Sequence, residues 1–157
     1  MRKIVDTVTA VLTCSLMTVM VITACWQVFT RFVLSAPSTV SEEFLRYSLI
    51  WLTMVGSAYA YGKKKHLAVV FVARKIPEKY QIFVRLLVEA VVMVFIVVIL
   101  LFGGIKAYQN AVGQISSAIG MPIEYLYLSL IVSGVLFLFY LVLHVKEYFA
   151  KAKPTSQ

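Results

Sequence analysis

Residues 82–105 read IFVRLLVEAVVMVFIVVILLFGGI. This apolar run, broken by one Arg and one Glu, exceeds the ~20 residues that carry a helix across a ~30 Å hydrocarbon core. Working outward in both directions, stretches of the same character occupy 4–31, 44–61 and 123–145. They are apolar on all sides, whereas a membrane barrel needs segments of ~10 residues that alternate, so each backbone must close its hydrogen bonds within a helix. The expected fold is an all-α integral membrane protein with four transmembrane helices, forming a single domain over 1–157.

Composition points the same way. Hydrophobic residues make up 61% of the chain and charged residues 14%, with a mean hydropathy of +0.89, which excludes an ordinary soluble domain. The net charge of +8 suggests a nucleic-acid binder only until the Lys and Arg are placed, because they flank the spans and do not gather on one polar face. Arg2 and Lys3 precede the first span, Lys63, Lys64, Lys65, Arg74, Lys75 and Lys79 lie between the second and third, and Lys146, Lys151 and Lys153 follow the fourth. Loops 33–41 and 107–122 contain neither Lys nor Arg. The positive-inside rule therefore predicts cytoplasmic termini and a cytoplasmic middle loop, with the two neutral loops outside.

The basic start Met1-Arg2-Lys3 resembles a signal peptide, but the apolar run behind it continues to Arg31, beyond the ~7 to 15 residues of a signal core. An uncleaved first helix is expected. Cys14 and Cys25 both lie in it, ~16 Å apart along the axis and too far for a disulfide limited to ~7 Å. They read as buried small apolar side chains. In the middle loop, Leu67 and Val69 to Val72 form a short apolar segment between Lys63 to His66 and the pair Arg74 and Lys75. An interfacial helix over 67–76 is predicted, its apolar side in the acyl boundary and His66, Arg74 and Lys75 at lipid headgroups. Pro77 opens the third span, with Glu78 complementing its helix dipole.

Charges at or inside the spans are the best functional clues, because an unpaired ion in lipid is costly. Glu42 and Glu43 precede Arg46 by four and three residues, so either can pair with it on one helix surface. Arg31 can join them across the first loop, making a structural ion-pair cluster or subunit interface. The plainer reading is snorkelling at the interface, with Ser41 capping the helix. Arg85 and Glu89 are also four apart and are expected to neutralise each other, which makes Glu89 a poor exchanging carboxylate. Lys106 and Glu124 flank the outer loop and either pair across it or, as the plainer reading, are two solvated ends. Trp26, Trp51, Tyr59, Tyr61, Tyr125 and Tyr127 fit an aromatic belt. For helix packing, Gly56 with Ala60 and Ala58 with Gly62 make small-xxx-small pairs.

The sequence has no Gly-rich phosphate loop, metal-ligand cluster, nucleophile with a base, or paired Gly/Pro interruption of the kind that builds a transporter's midplane site. An enzyme, a resident cofactor or metal, and an autonomous transporter are all disfavoured. An accessory subunit of a larger membrane complex fits better.

The run Arg31-Phe32-Val33, then Ser41-Glu42-Glu43-Phe44-Leu45-Arg46-Tyr47, Trp51, Gly56, the basic stretch ending at His66, and Pro77 resembles the small membrane subunit of tripartite ATP-independent periplasmic (TRAP) transporters, the DctQ-like family. Ser116 to Pro122 leading into Tyr125 is similar to that family's loop before its last helix. Val40 and Lys65 depart from the aromatic and small residues usual at those places. The resemblance implies a bacterial inner-membrane subunit that forms a heterodimer with a large membrane subunit carrying the substrate and Na⁺ sites, supplied by a periplasmic substrate-binding protein. It also implies uptake of organic acids such as C4-dicarboxylates, sialic acids or keto acids. The large subunit would move as an elevator and the small one would extend its fixed scaffold.

Two alternatives stand beside it. A self-contained four-helix ion-coupled exporter acting as a homodimer would want a membrane carboxylate in the first span, where Asp6 lies close to the cytoplasmic end. A quinone-linked thiol oxidase would need cysteine pairs in the outer loops, which have none.

Overall fold

The computed structural model describes residues 2–63 and 78–152. Helix α1 spans Arg2–Phe32, α2 Thr39–Gly62 and α3 Glu78–Phe95; a π-helical segment, Ile96–Gly103, continues α3 into α4, Gly104–Ala111, and α5 spans Glu124–Ala152. Among the described residues there is no strand beyond a single bridge between Ile115 and Pro122. The predicted interfacial helix at 67–76, with His66, Arg74 and Lys75, lies outside the described residues.

Among the described residues three helices are long and apolar enough to cross a membrane: Lys3–Phe32, Leu87–Ala111 and Glu124–Lys146. Helix α2 has 24 residues, or ~36 Å of rise, but Arg46, Tyr47, Tyr59, Tyr61 and its small polar residues dilute its apolarity. Its position explains how it carries them. α2 packs between α1 on one side and α5 on the other, so Tyr47, Ser48, Val55, Ala58 and Tyr61 are buried by protein. α5 in turn receives the π segment and α4, and touches α3 only lightly. The order across the bundle is therefore α1, α2, α5 and then the interrupted third helix.

Among the described residues α1 packs mainly against α2, and only 6% of its apolar window is buried. Its hydroxyls are nonetheless satisfied, since Thr7, Thr13, Thr18 and Thr23 each donate to the carbonyl four residues back. The start of α2 is capped by Ser38, whose hydroxyl oxygen accepts from the Ser41 amide at 3.3 Å and the Ser41 hydroxyl at 3.1 Å. Ser41, the cap expected from sequence, sits inside the helix because the extended backbone of an N-cap falls at Ser38 (φ −90°, ψ 106°).

The core gathers Tyr61, Ile96, Leu100, Tyr140 and Leu141. Two glycines set its spacing. A Cβ at Gly62 would lie 2.5 Å from the Tyr140 ring, and one at Gly134 would lie 2.8 Å from Leu101 and 3.2 Å from Leu100. At Gly56 it would meet Thr13 at an ordinary 3.6 Å. Of the two small-xxx-small pairs expected from sequence, Gly56 with Ala60 and Ala58 with Gly62, the tighter approach is at Gly62.

Candidate functional site: polar locks at the two ends of α2

At the C-terminal end of α2, polar side chains tie all four long helical stretches together. Asp6 of α1 sits 2.8 Å from the Lys63 ammonium and accepts a hydrogen bond from the Tyr140 hydroxyl of α5 at 2.9 Å. Glu89 of α3 accepts from the Tyr61 hydroxyl, and its second oxygen lies 3.5 Å from Nδ1 of His144 on α5. The other ring nitrogen of His144 is 3.3 Å from the Gly62 carbonyl oxygen. Tyr140 is fully buried and His144 is 2% exposed.

Local sequence makes this convergence possible. Phe137, Tyr140 and His144 recur at helical spacing along one face of α5, and Tyr61 meets that face with its ring 5.3 Å from Phe137 and 5.0 Å from His144. Gly62 then leaves the space that Tyr140 fills. Ions in so apolar a setting are tolerated because each has a counter-charge or donor. Deleting one member of a buried pair strands the other, at a cost of roughly 3–5 kcal/mol.

At the N-terminal end of α2, Glu43 holds the loop between α4 and α5. One of its carboxylate oxygens accepts from the backbone amides of Ala118 at 2.9 Å and Ile119 at 3.0 Å. That loop is a closed turn. Ser116 donates its amide to Met121, Gly120 to Ser116, and Ile123 to Gln114, while Gly113 and Gly120 take the left-handed conformations at φ 83° and 72° that favour glycine. The buried Ser116 hydroxyl makes no hydrogen bond of full geometry, yet it is the strongest influence holding the Glu43 carboxyl below its ordinary value. The two amides and Arg46 add to that, and desolvation opposes it. Trp51, two turns further along, donates its indole N–H to the Tyr125 carbonyl at 3.2 Å, so α2 grips both the loop and the start of α5.

Arg46 pairs with Glu42 at 3.6 Å, both well exposed, whereas Glu43 engages the loop backbone. Arg31 is exposed and lies over the Phe32 ring at 5.8 Å, with no ion pair among the described residues, so the structure does not bring it to Glu42, Glu43 and Arg46. Glu89 lies within the lock, while the side chain of its expected partner Arg85 lies outside the described residues. Lys106 sits 4.8 Å over the Phe102 ring and makes no ion pair with Glu124 among the described residues. Sequence reasoning missed Lys63, Tyr140 and His144 as functional residues, and set Asp6 aside. The available signal was His144 itself, an ionisable side chain within an apolar span.

The profile of the family described as tripartite ATP-independent periplasmic transporters, DctQ component, matches residues 20–151. The sialic acid TRAP transporter small permease protein SiaQ of Vibrio cholerae is 32% identical over 139 residues, which is 88% of this chain and 80% of that protein. The sialic acid TRAP transporter permease protein SiaT of Haemophilus influenzae is 27% identical over 113 residues, covering 72% of this chain but only 18% of that longer permease.

Proposed function

Since this chain belongs to the DctQ family of TRAP transporter components, and is thus a small permease subunit and not an enzyme, we propose that it serves as the non-substrate-binding scaffold of a Na⁺-coupled transporter for organic acids. Sialic acid, named in both relatives, is the first substrate to try. The observation that carries the scaffold reading is the use made of the acids. Asp6, Glu43 and Glu89 are all engaged in holding separate elements together, which suits a rigid support and not a carboxylate that exchanges ions during a transport cycle. A self-contained exporter would need Asp6 or Glu89 for that exchange.

The partner is a larger membrane subunit, forming a heterodimer with this one. In SiaT the matching segment makes up 18% of the permease, so the rest of that protein is a much larger unit combined with it. A periplasmic substrate-binding protein would deliver the solute. Within this reading the chain is one domain with four spans, α2 being the fourth because α1 and α5 shield its polar residues. Both termini and the 64–77 segment face the cytoplasm of a bacterial inner membrane, and His66, Arg74 and Lys75 meet its lipids. Glu42, Arg46 and Arg31 lie near the periplasmic end, on the exposed rim.

The test is co-purification in mild detergent with the large permease protein, followed by Na⁺-dependent uptake in proteoliposomes with the binding protein added. Uptake that vanishes when this chain is omitted is the expected result. Solute movement by this chain alone would overturn the reading.

A further inference from the structure

Helix α2 has 24 residues but is not among the three helices apolar enough to cross a membrane, and its neighbours cover one side of it only. The buried Tyr47, Ser48, Val55, Ala58 and Gly62 share that side. About half a revolution away, Glu42, Arg46, Leu49, Thr53 and Ala60 recur at helical spacing and so form a line along the opposite face. The side chains of Glu42 and Arg46 are 63% and 68% exposed, Leu49 and Thr53 are exposed, and Ala60 is half-buried. Nothing among the described residues closes over this line. The helices are neighbours as a row, α1 with α2, α2 with α5, and α5 with the interrupted third helix; Tyr61 and Tyr140 reach further only from buried positions. The open face of α2 thus lies on a broad side of the row, flanked by α1 and α5.

Acyl chains suit the other open faces. Val8, Val11 and Ile22 on α1, and Val94, Val98 and Phe102 on the third helix, are apolar and more than half exposed. α1 also exposes Ser15 and Thr18, whose hydroxyls return to carbonyls of their own helix, and it carries no charge between Asp6 and Arg31. The line on α2 instead starts with an ion pair and continues with one leucine, one hydroxyl and one methyl group, which give acyl chains little to cover. Short side chains and Ser or Thr are what helix contacts within membranes use. Arg46 meets Glu42 through one guanidinium nitrogen at 3.6 Å, beyond hydrogen-bond length. Its planar fork is therefore open to a carboxylate from another chain, which can accept two parallel bonds.

We propose that the open face of α2 is the seat of a transmembrane helix of the large permease subunit, which lies along Leu49, Thr53 and Ala60 and presents a carboxylate to Arg46. The proposal rests on the reading of this chain as the small permease subunit beside a larger one. Helix α2 is then covered by protein on both sides, by α1 and α5 behind and by the partner helix in front, which accounts for a membrane helix with so little apolar surface of its own. The exposed pair of Glu42 and Arg46 contributes little to the isolated chain, and gains weight once a partner excludes water from it.

The experiment is photo-cross-linking in the full complex. Benzoylphenylalanine is placed singly at Leu49, at Thr53 and, facing lipid, at Val98 of this chain, which is co-expressed with the large permease protein and irradiated in membranes. Leu49 and Thr53 should give an adduct joining the two subunits, and Val98 an adduct with lipid. Lipid alone at Leu49 and Thr53, a dimer of this chain there, or the large subunit at Val98 only would overturn the proposal. If the bulky probe blocks assembly, that loss should occur at Leu49 and Thr53 and not at Val98. Arg46→Glu should lower the complex recovered in mild detergent severalfold while the small subunit alone keeps its melting temperature; recovery equal to the parent's rules out the carboxylate contact. A parent chain that fails to co-purify with the large subunit at all would instead refute the subunit reading itself, which tells the two failures apart.

Discussion

At the scale of single residues, Gly62 and Gly56 separate two glycines that look alike in sequence. Gly62→Ala forces a Cβ against the face of a fully buried tyrosine, and overpacking of that kind costs about 1–3 kcal/mol. Gly56→Ala meets only a methyl group at 3.6 Å, and in mid-helix Ala gains about 0.5–1 kcal/mol over Gly. Melting temperatures in detergent should therefore move in opposite directions, and equal losses would refute the assignment of the tight contact. Glu43 offers a second residue-scale test through hydrogen exchange at the Ala118 and Ile119 amides. Glu43→Ala should release their protection, whereas Glu43→Gln keeps a carbonyl acceptor and should retain much of it. The sign with pH follows from the lowered carboxyl: protection is complete above its ordinary value of 4.5 and is lost as pH falls through the depressed one. The exposed Glu42–Arg46 pair sits beside it and is worth ~0.3–0.5 kcal/mol at most, so Arg46→Ala should barely change monomer stability.

At the scale of elements, the π segment decides how the third helix meets α5. Ile96 and Leu100 are its buried residues; Leu100 and Leu101 pack against Gly134 of α5, and a Cβ at Gly104 would lie 3.2 Å from Leu130. Hydropathy is blind to this, because eight apolar residues in a row read alike in an α- or π-helix, and only the fit against α5 selects the wider turn. Deleting the exposed Val98 should let the segment relax towards α-helix, while rotating everything after it by ~100° about the axis. Gly104 would then leave Leu130. Cysteines at these two positions should cross-link in the parent protein and fail to do so after the deletion.

At the scale of the whole molecule, Asp6 and Lys63 connect the start of α1 to the end of α2 and, through Tyr140, to α5. Charge reversal at either position should lower the yield of assembled bundle, and the double exchange Asp6→Lys with Lys63→Asp should restore part of it. A double-mutant cycle with no coupling would remove the pair from the lock. Substitutions at Gly62, Glu43 or Asp6 should likewise reduce uptake by the assembled transporter in proportion to lost complex, leaving solute affinity of the binding protein unchanged; a changed solute preference would count against a scaffold. Much of this molecule is legible without coordinates. Hydropathy marks the helices because a bilayer demands long apolar runs with internally bonded backbone, and the motif around Ser41 to Arg46, with the loop before Tyr125, points to the family. The acids are also visible, but not their partners. Helical spacing proposes Arg46 for Glu43 and Arg85 for Glu89, since neighbours on one helix are all that a period of 3.6 can reveal. The contacts that matter run from Asp6 to Tyr140, from Glu43 to Ala118 and Ile119, and from Glu89 to His144, across separations of tens to more than a hundred residues. The helices, their apolar character and the family can be read from the chain alone, because these depend on which residues follow one another along it. Which polar groups meet, the place of α2 between α1 and α5, and the π turn emerge from the packed bundle, because these depend on how the helix surfaces fit side by side.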